Sequence, residues 1–233
     1  MVRFPNPHIL RECRAFSGYN YYMMLTRQSL KMHGLLALSL LIVLTAVACP
    51  QVEAKHHPSQ TTVAAAGLSN DTILVIRHAE KPLEGNGLTP TGVQHALAYV
   101  HYFQAYTIGG ERVRFDDLFA ARDSKNSMRP RLTLEPLSHA LRMPLQTQYK
   151  QDDYTDLVAG LKALGPGKQI LICWHHKRIP DLLSELGANP DLLLPNGAWP
   201  DDQYSWVIQL RYDKYGHLIS SLTRRVDENL ANP

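Results

Sequence analysis

The run Asp71-Thr72-Ile73-Leu74-Val75-Ile76-Arg77-His78-Ala79-Glu80-Lys81-Pro82 changes character at its centre. Four consecutive aliphatic residues, three of them β-branched, predict a strand buried on both faces, as in parallel sheets. Such a strand is not expected to keep an arginine and a histidine inside, so the chain should surface at Arg77. In an open α/β sheet, ligands bind beyond the carboxyl ends of the strands. A guanidinium and an imidazole placed there suit an anionic substrate attacked by a nitrogen nucleophile.

Downstream, residues 82–88 form a loop with Gly85 and Gly87. Thr89-Pro90 then starts a helix, with the threonine as cap and the proline in the first turn. Val93, Ala96, Leu97, Val100 and Phe103 recur at the spacing of one helical face, which predicts the core-facing side. Gly109-Gly110 closes this unit, and Asp117 to Ala121 is a second, short strand. Arg129 to Leu141 is helical in tone, with Pro136 expected to end or kink it. Tyr154, Leu157, Val158 and Leu161 mark another helix, stopped by Gly165-Pro166-Gly167. Gln169 to Trp174 is a further buried strand, and it closes on His175-His176 much as the first closes on Arg77-His78. A helix with Leu182, Leu183 and Leu186 on one face follows, and Gly187 lies beyond its end. Trp206 to Tyr212 alternates as a strand with one wetter face should. Asp213 to Gly216 is a turn, and His217 to Thr223 a return strand.

Strand and helix alternate and the chain then turns strand-rich. That order predicts an α/β fold, a three-layer sandwich with a mainly parallel central sheet and helices on both faces. If the two histidine-bearing strands lie parallel and close, both sites emerge on one sheet edge. Arg129, near the start of the helix after the second strand, would join them. Two histidines and two arginines then converge on a phosphate-sized site.

The chain's net charge of +3 is unevenly spread. Arg3, Arg11, Arg14, Arg27 and Lys31 stand against only Glu12 and Glu53 in residues 1–54, so the rest is neutral overall. A nucleic-acid binder keeps a basic face on its folded domain, and no such surplus is left here. Leu35 to Ala48 is apolar apart from Ser39 and Thr45, and Lys31 precedes it. It is short for a membrane-spanning helix and suits the hydrophobic region of an export signal. Ala46-Val47-Ala48 before Cys49 and Val52-Glu53-Ala54 before Lys55 are candidate cleavage sites. The first also resembles a lipobox, with lipidation of Cys49 as the alternative to cleavage at Lys55. Residues 1–54 therefore read as an N-terminal extension with a signal, 55–70 as a linker, and 71–228 as the catalytic domain. The expected location is the periplasm or, with a lipid on Cys49, the membrane surface. Cys173 would then be the sole cysteine of the mature domain, a small core residue.

With these stretches in place, the chain resembles the histidine phosphatase (phosphoglycerate mutase-like) superfamily. Arg77-His78-Ala79-Glu80 is similar to its Arg-His-Gly/Ala-Glu signature, and Leu88-Thr89-Pro90-Thr91-Gly92 to the Leu-Thr-x-x-Gly segment that follows. Arg129-Pro130-Arg131-Leu132-Thr133-Leu134-Glu135-Pro136-Leu137 resembles the helix start Arg-Ala-x-x-Thr-Ala-Glu-Pro-Leu. Leu171 to Pro180 resembles the strand and loop of the second histidine, with Trp174 where the family usually has glycine. The resemblance spans about residues 71–225.

It implies a metal-independent, cofactor-free phosphomonoester hydrolase that forms a phosphohistidine on His78. Arg77, Arg129 and His175 would complete the catalytic set around a small phosphorylated substrate. Lys81 and His176 are the implied substrate contacts, His176 on an exposed rim because strand neighbours point to opposite faces. No carboxylate announces itself as proton donor; Glu80, Asp152 and Asp153 are the candidates, the aspartates serving equally as an acidic helix start with Asp156. The alternative function is an anion-binding module on the same fold without turnover. A neutral imidazole suits the chemistry, because a phosphomonoester dianion repels anionic nucleophiles and a covalent intermediate divides one hard displacement into two.

Overall fold

In the computed structural model, residues 67–230 are described. Six strands form one mixed sheet in the order β5-β4-β6-β1-β7-β8. The parallel part is β1 (Thr72–Arg77), β4 (Asp117–Ala120), β5 (Leu145–Gln146) and β6 (Gln169–Trp174). Antiparallel β7 (Trp206–Arg211) and β8 (Arg224–Asp227) extend the edge beyond β1. A separate hairpin, β2 (Thr107–Ile108) with β3 (Glu111–Arg112), turns at Gly109-Gly110, both with positive φ.

The period of two in the strands sorts their side chains into two cores. Ile73, Val75, Ile170, Ile172 and Trp174 pack beneath α3 (Tyr154–Ala163), α4 (Ile179–Glu185) and α5 (Pro190–Leu193). Leu74, Ile76, Leu171 and Cys173 face α1 (Pro90–Ala105) and α2 (Arg129–Leu141). The layers are helix, sheet, helix, so the α/β sandwich expected from the sequence is the fold observed. Each of these fully buried aliphatic side chains contributes roughly 1.5–3 kcal/mol.

Several local expectations fail. Arg77 does not surface: it and His78 are 0% and 1% exposed, because the 200–204 loop closes over the strand end. On α1 the buried residues are Gly92, His95, Ala96, Tyr99 and Phe103, whereas Val93 and Leu97 remain 46% and 47% exposed. The helix is rotated toward its aromatic side, where Tyr99 and Phe103 offer more area to bury. Pro136 neither ends nor breaks α2, which runs on to Leu141 with Leu134 and Leu137 anchored in the core. β7 has no wetter face, since Gln209 is buried between the Tyr106 hydroxyl and the Leu222 carbonyl, to which its side-chain amide donates. Residues 217–223 make one bridge and a 3-10 turn, Ser220–Leu222, and the return strand is β8 instead. Packing also begins before Asp71, inside the stretch read as linker, with Leu68 and Ser69 buried.

Two contacts fix the loop after β1. Thr89 caps α1 by accepting from the Gly92 amide and donates its own amide to the Glu80 carbonyl. A Cβ on Gly92 would come within 2.7 Å of the Glu80 oxygen, so only glycine lets helix and loop approach this closely.

Candidate active site

β1 and β6 are adjacent and parallel, with Arg77 paired to Trp174, so their carboxyl ends emerge side by side. The His78 amide donates to the Trp174 carbonyl and continues that pairing one residue further. His78 and His175 consequently meet with ring centroids 5.5 Å apart. Arg129 arrives from the first turn of α2. Thr133 ties it to the strand end, donating to the Arg129 carbonyl and accepting from the Ala79 amide, 2.8 and 2.9 Å.

The His78 tautomer follows from its partner. Nδ1 lies 2.7 Å from the Ala79 carbonyl, which can only accept, so Nδ1 carries the proton and Nε2 keeps its lone pair. Burial above all, and the nearby His175, Arg77 and Arg129, push His78 down to about 2. His175 is lowered to about 4, by burial first and then by Arg129. The floor of the site is thus a neutral imidazole among cations.

Arg77 is held from one side. Its Nη1 donates to the carbonyls of Pro200, Asp201 and Gln203 at 3.0, 2.7 and 2.8 Å, and its plane lies 3.9 Å from the centre of the Tyr204 ring. Among the described residues, the buried side-chain polar atoms without a partner are Asp71 Oδ2, Thr223 Oγ1 and four donors or acceptors of this site: Arg77 Nε and Nη2, Arg129 Nε and His176 Nδ1. Leaving such a group unpaired costs about 1–3 kcal/mol, more when it is charged. An oxyanion with several lone pairs matches the arginine donors.

His176 contradicts its expected exposure. It is buried, 6.5 Å from His78 between ring centroids, with Nε2 2.6 Å from Asp201 Oδ1. Strand alternation does not apply, because the strand ends at Trp174 and His176 opens a 3-10 turn, His176–Arg178. Both neighbouring histidines therefore border His78. Lys81 is exposed.

The candidate acids are otherwise engaged. Glu80 lies 3.0 Å from His95 Nδ1, which holds its carboxyl below the usual range even though burial opposes this. Asp152 accepts from Arg178 Nε at 2.6 Å, and Asp153 accepts from the Lys150 amide at 3.0 Å. Asp156 is exposed in the first turn of α3. Asp201, Tyr204 and Thr133 were missed from the sequence. Asp201 and Tyr204 lie over 120 residues from Arg77 in a loop with no motif, so only folding joins them to the site. No group of three or more His, Cys, Asp or Glu among the described residues is arranged to hold a metal ion.

Fold and site define an α/β protein with unpaired arginine donors at the carboxyl edge of its sheet and an imidazole lone pair beside them. Among solved structures the chain is similar to the protein histidine phosphatase SixA complexed with tungstate, with a TM-score of 0.48 and 16% identity over 67% of this chain and 97% of that one. It is also similar to phosphoglycerate mutase from Bacillus anthracis, TM-score 0.44 and 13% identity over 67% and 92% of the two chains. A third is a phosphoserine phosphatase variant from Entamoeba histolytica with phosphoserine, TM-score 0.43 and 13% identity over 64% and 94%. Neither a family model nor a curated protein matches the chain.

Proposed function

We propose that the protein is a phosphomonoester hydrolase working through a phosphohistidine on His78 Nε2. The observation that carries this reading is the set of unpaired buried arginine donors beside a neutral, correctly tautomeric imidazole. Arg77 and Arg129 bind the phosphoryl oxygens through charge-assisted hydrogen bonds. Burial above all, helped by these cations, keeps His78 unprotonated, so its lone pair is available for attack on phosphorus. His175 donates to the oxygens as charge builds on them. No step in this scheme calls for a metal or cofactor.

The test is turnover of a generic aryl phosphate by the full chain, followed by a rapid non-acidic quench and mass spectrometry. The expected adduct lies on the peptide holding His78, and His78→Ala abolishes both adduct and rate. A near wild-type rate in His78→Ala would falsify the assignment. A second reading, an anion-binding module without turnover, is favoured by the engagement of Glu80, Asp152 and Asp153 with other partners. It predicts phosphate binding with no adduct.

Export is proposed from residues 35–54, which lie outside the described residues, as does Cys49. Expressed in a Gram-negative host, the mature chain should begin near Cys49 or Lys55 outside the cytoplasm. An uncleaved cytoplasmic N-terminus overturns this, and unchanged membrane partitioning in Cys49→Ser removes the lipid.

A further inference from the structure

A phosphatase of this kind has one chemical need left over. The departing ester oxygen must take up a proton, and the three candidate carboxylates are held by His95, Arg178 and the Lys150 amide. We propose that His176 carries this proton at Nδ1 and that Asp201 positions it for the task. The proposal rests on the phosphatase reading.

The geometry is that of an imidazole with one nitrogen anchored and the other free. A carboxylate can only accept, so the 2.6 Å contact with Asp201 Oδ1 places a proton on His176 Nε2. Nδ1 is then the acid–base nitrogen. It is buried and without a partner, on a ring 6.5 Å from that of the nucleophile. A histidine oriented at one nitrogen by a carboxylate, with the other toward the reacting atoms, is a general arrangement for proton transfer. Asp201 is 77% exposed, so solvent screens its charge and its contribution is orientation.

Burial first, then Arg77 and Lys81, lower His176 to about 4; Asp201 opposes them, and the neighbouring His175 also faces it. A phosphomonoester acts against the lowering, because its negative charges lie among those cations. Its second ionisation falls at about 6, so it enters in part as a monoanion whose proton passes to His176 Nδ1 before the P–O bond breaks.

The cycle balances. His78 Nε2 forms a bond to phosphorus as the ester P–O bond breaks, its electron pair going to the ester oxygen. That oxygen takes the proton from His176 Nδ1 and leaves as the alcohol. Water then attacks the phosphohistidine and gives a proton to Nδ1, and the P–N pair returns to His78. Inorganic phosphate departs with His176 protonated again.

The test separates proton donation from phosphate binding through the leaving group. Full-length wild type, His176→Ala and Asp201→Asn are assayed against a series running from 2,4-dinitrophenyl phosphate, whose phenolate leaves unaided, to phenyl phosphate, whose phenolate needs a proton. His176→Ala should lose roughly a hundredfold to ten-thousandfold in kcat/KM on phenyl phosphate, the ratio that reports only the steps up to departure of the phenol and not the later attack of water. On the dinitrophenyl ester the loss should stay under about tenfold, the acid no longer being needed. Asp201→Asn should show the same skew in smaller measure, and as an exposed position it carries the comparison should His176→Ala fail to fold. Equal losses across the series, with native circular dichroism, overturn the proposal and make His176 a phosphate ligand. A wild type that neither turns over these esters nor labels His78 overturns the phosphatase reading itself.

Discussion

Arg77 uses its three nitrogens for two purposes. Nη1 is spent on loop carbonyls at 200–203, while Nε and Nη2 are buried and open to an anion. A lysine has no planar fork and cannot serve both. Arg77→Lys should therefore lose activity and also destabilise the protein, by roughly 3 kcal/mol or more since several charge-assisted bonds go at once. Urea unfolding followed by Trp fluorescence measures this, and unchanged stability would mean that the loop is held by other contacts. Arg129 is tethered more lightly, by one 3.3 Å bond to the Gly85 carbonyl. Arg129→Ala should leave stability nearly unchanged while costing about 100- to 1000-fold in kcat, the loss of one donor aimed at developing charge.

At the scale of elements, α1 does more than cover the sheet. His95 sits between Glu80 and Glu228, at 3.0 Å from each, and the Tyr99 hydroxyl donates to Glu228 at 2.7 Å. This network joins the loop after His78 to α1 and to the segment following β8. Burial would lower His95, but the two carboxylates win and raise it to about 9 from 6.5. The folded value lies above the unfolded one, so the stabilisation is fully present below pH 6.5 and is lost as pH rises through about 9. The thermal midpoint should fall over that window in wild type. It should be flatter in His95→Gln, and a slope as steep as wild type would place the titration elsewhere.

Across the whole molecule, β6 is the strand on which both cores depend, since its residues pack alternately against α1–α2 and α3–α4. Leu171→Ala should cost about 2–5 kcal/mol through the cavity it leaves. Leu97→Ala, on the half-exposed flank of α1, should cost well under 1 kcal/mol. Denaturant midpoints of the two variants compare them directly. Similar losses would mean that Leu97 is buried in solution and that α1 turns the face its sequence periodicity suggests.

Part of this was decided by local pattern alone. Aliphatic runs as long as Ile73–Ile76 and Ile170–Cys173 have no stable place except a sheet covered on both faces, so layer order and the carboxyl-edge site follow from them. That Arg77, His78, Arg129 and His175 stand close together was legible for the same reason, each lying at a strand end or helix start that the pattern marks. Burial of charge and pairing across long separations were not legible. Arg77 stays inside because three carbonyls of a loop over 120 residues away receive it, which no window of sequence contains. His176 turns inward because the strand stops at Trp174, two residues short of it, and Asp201 is there to meet it. Periodicity selects which faces are apolar, but the energy of a desolvated cation or imidazole depends on the partners that only the folded chain brings within 3 Å.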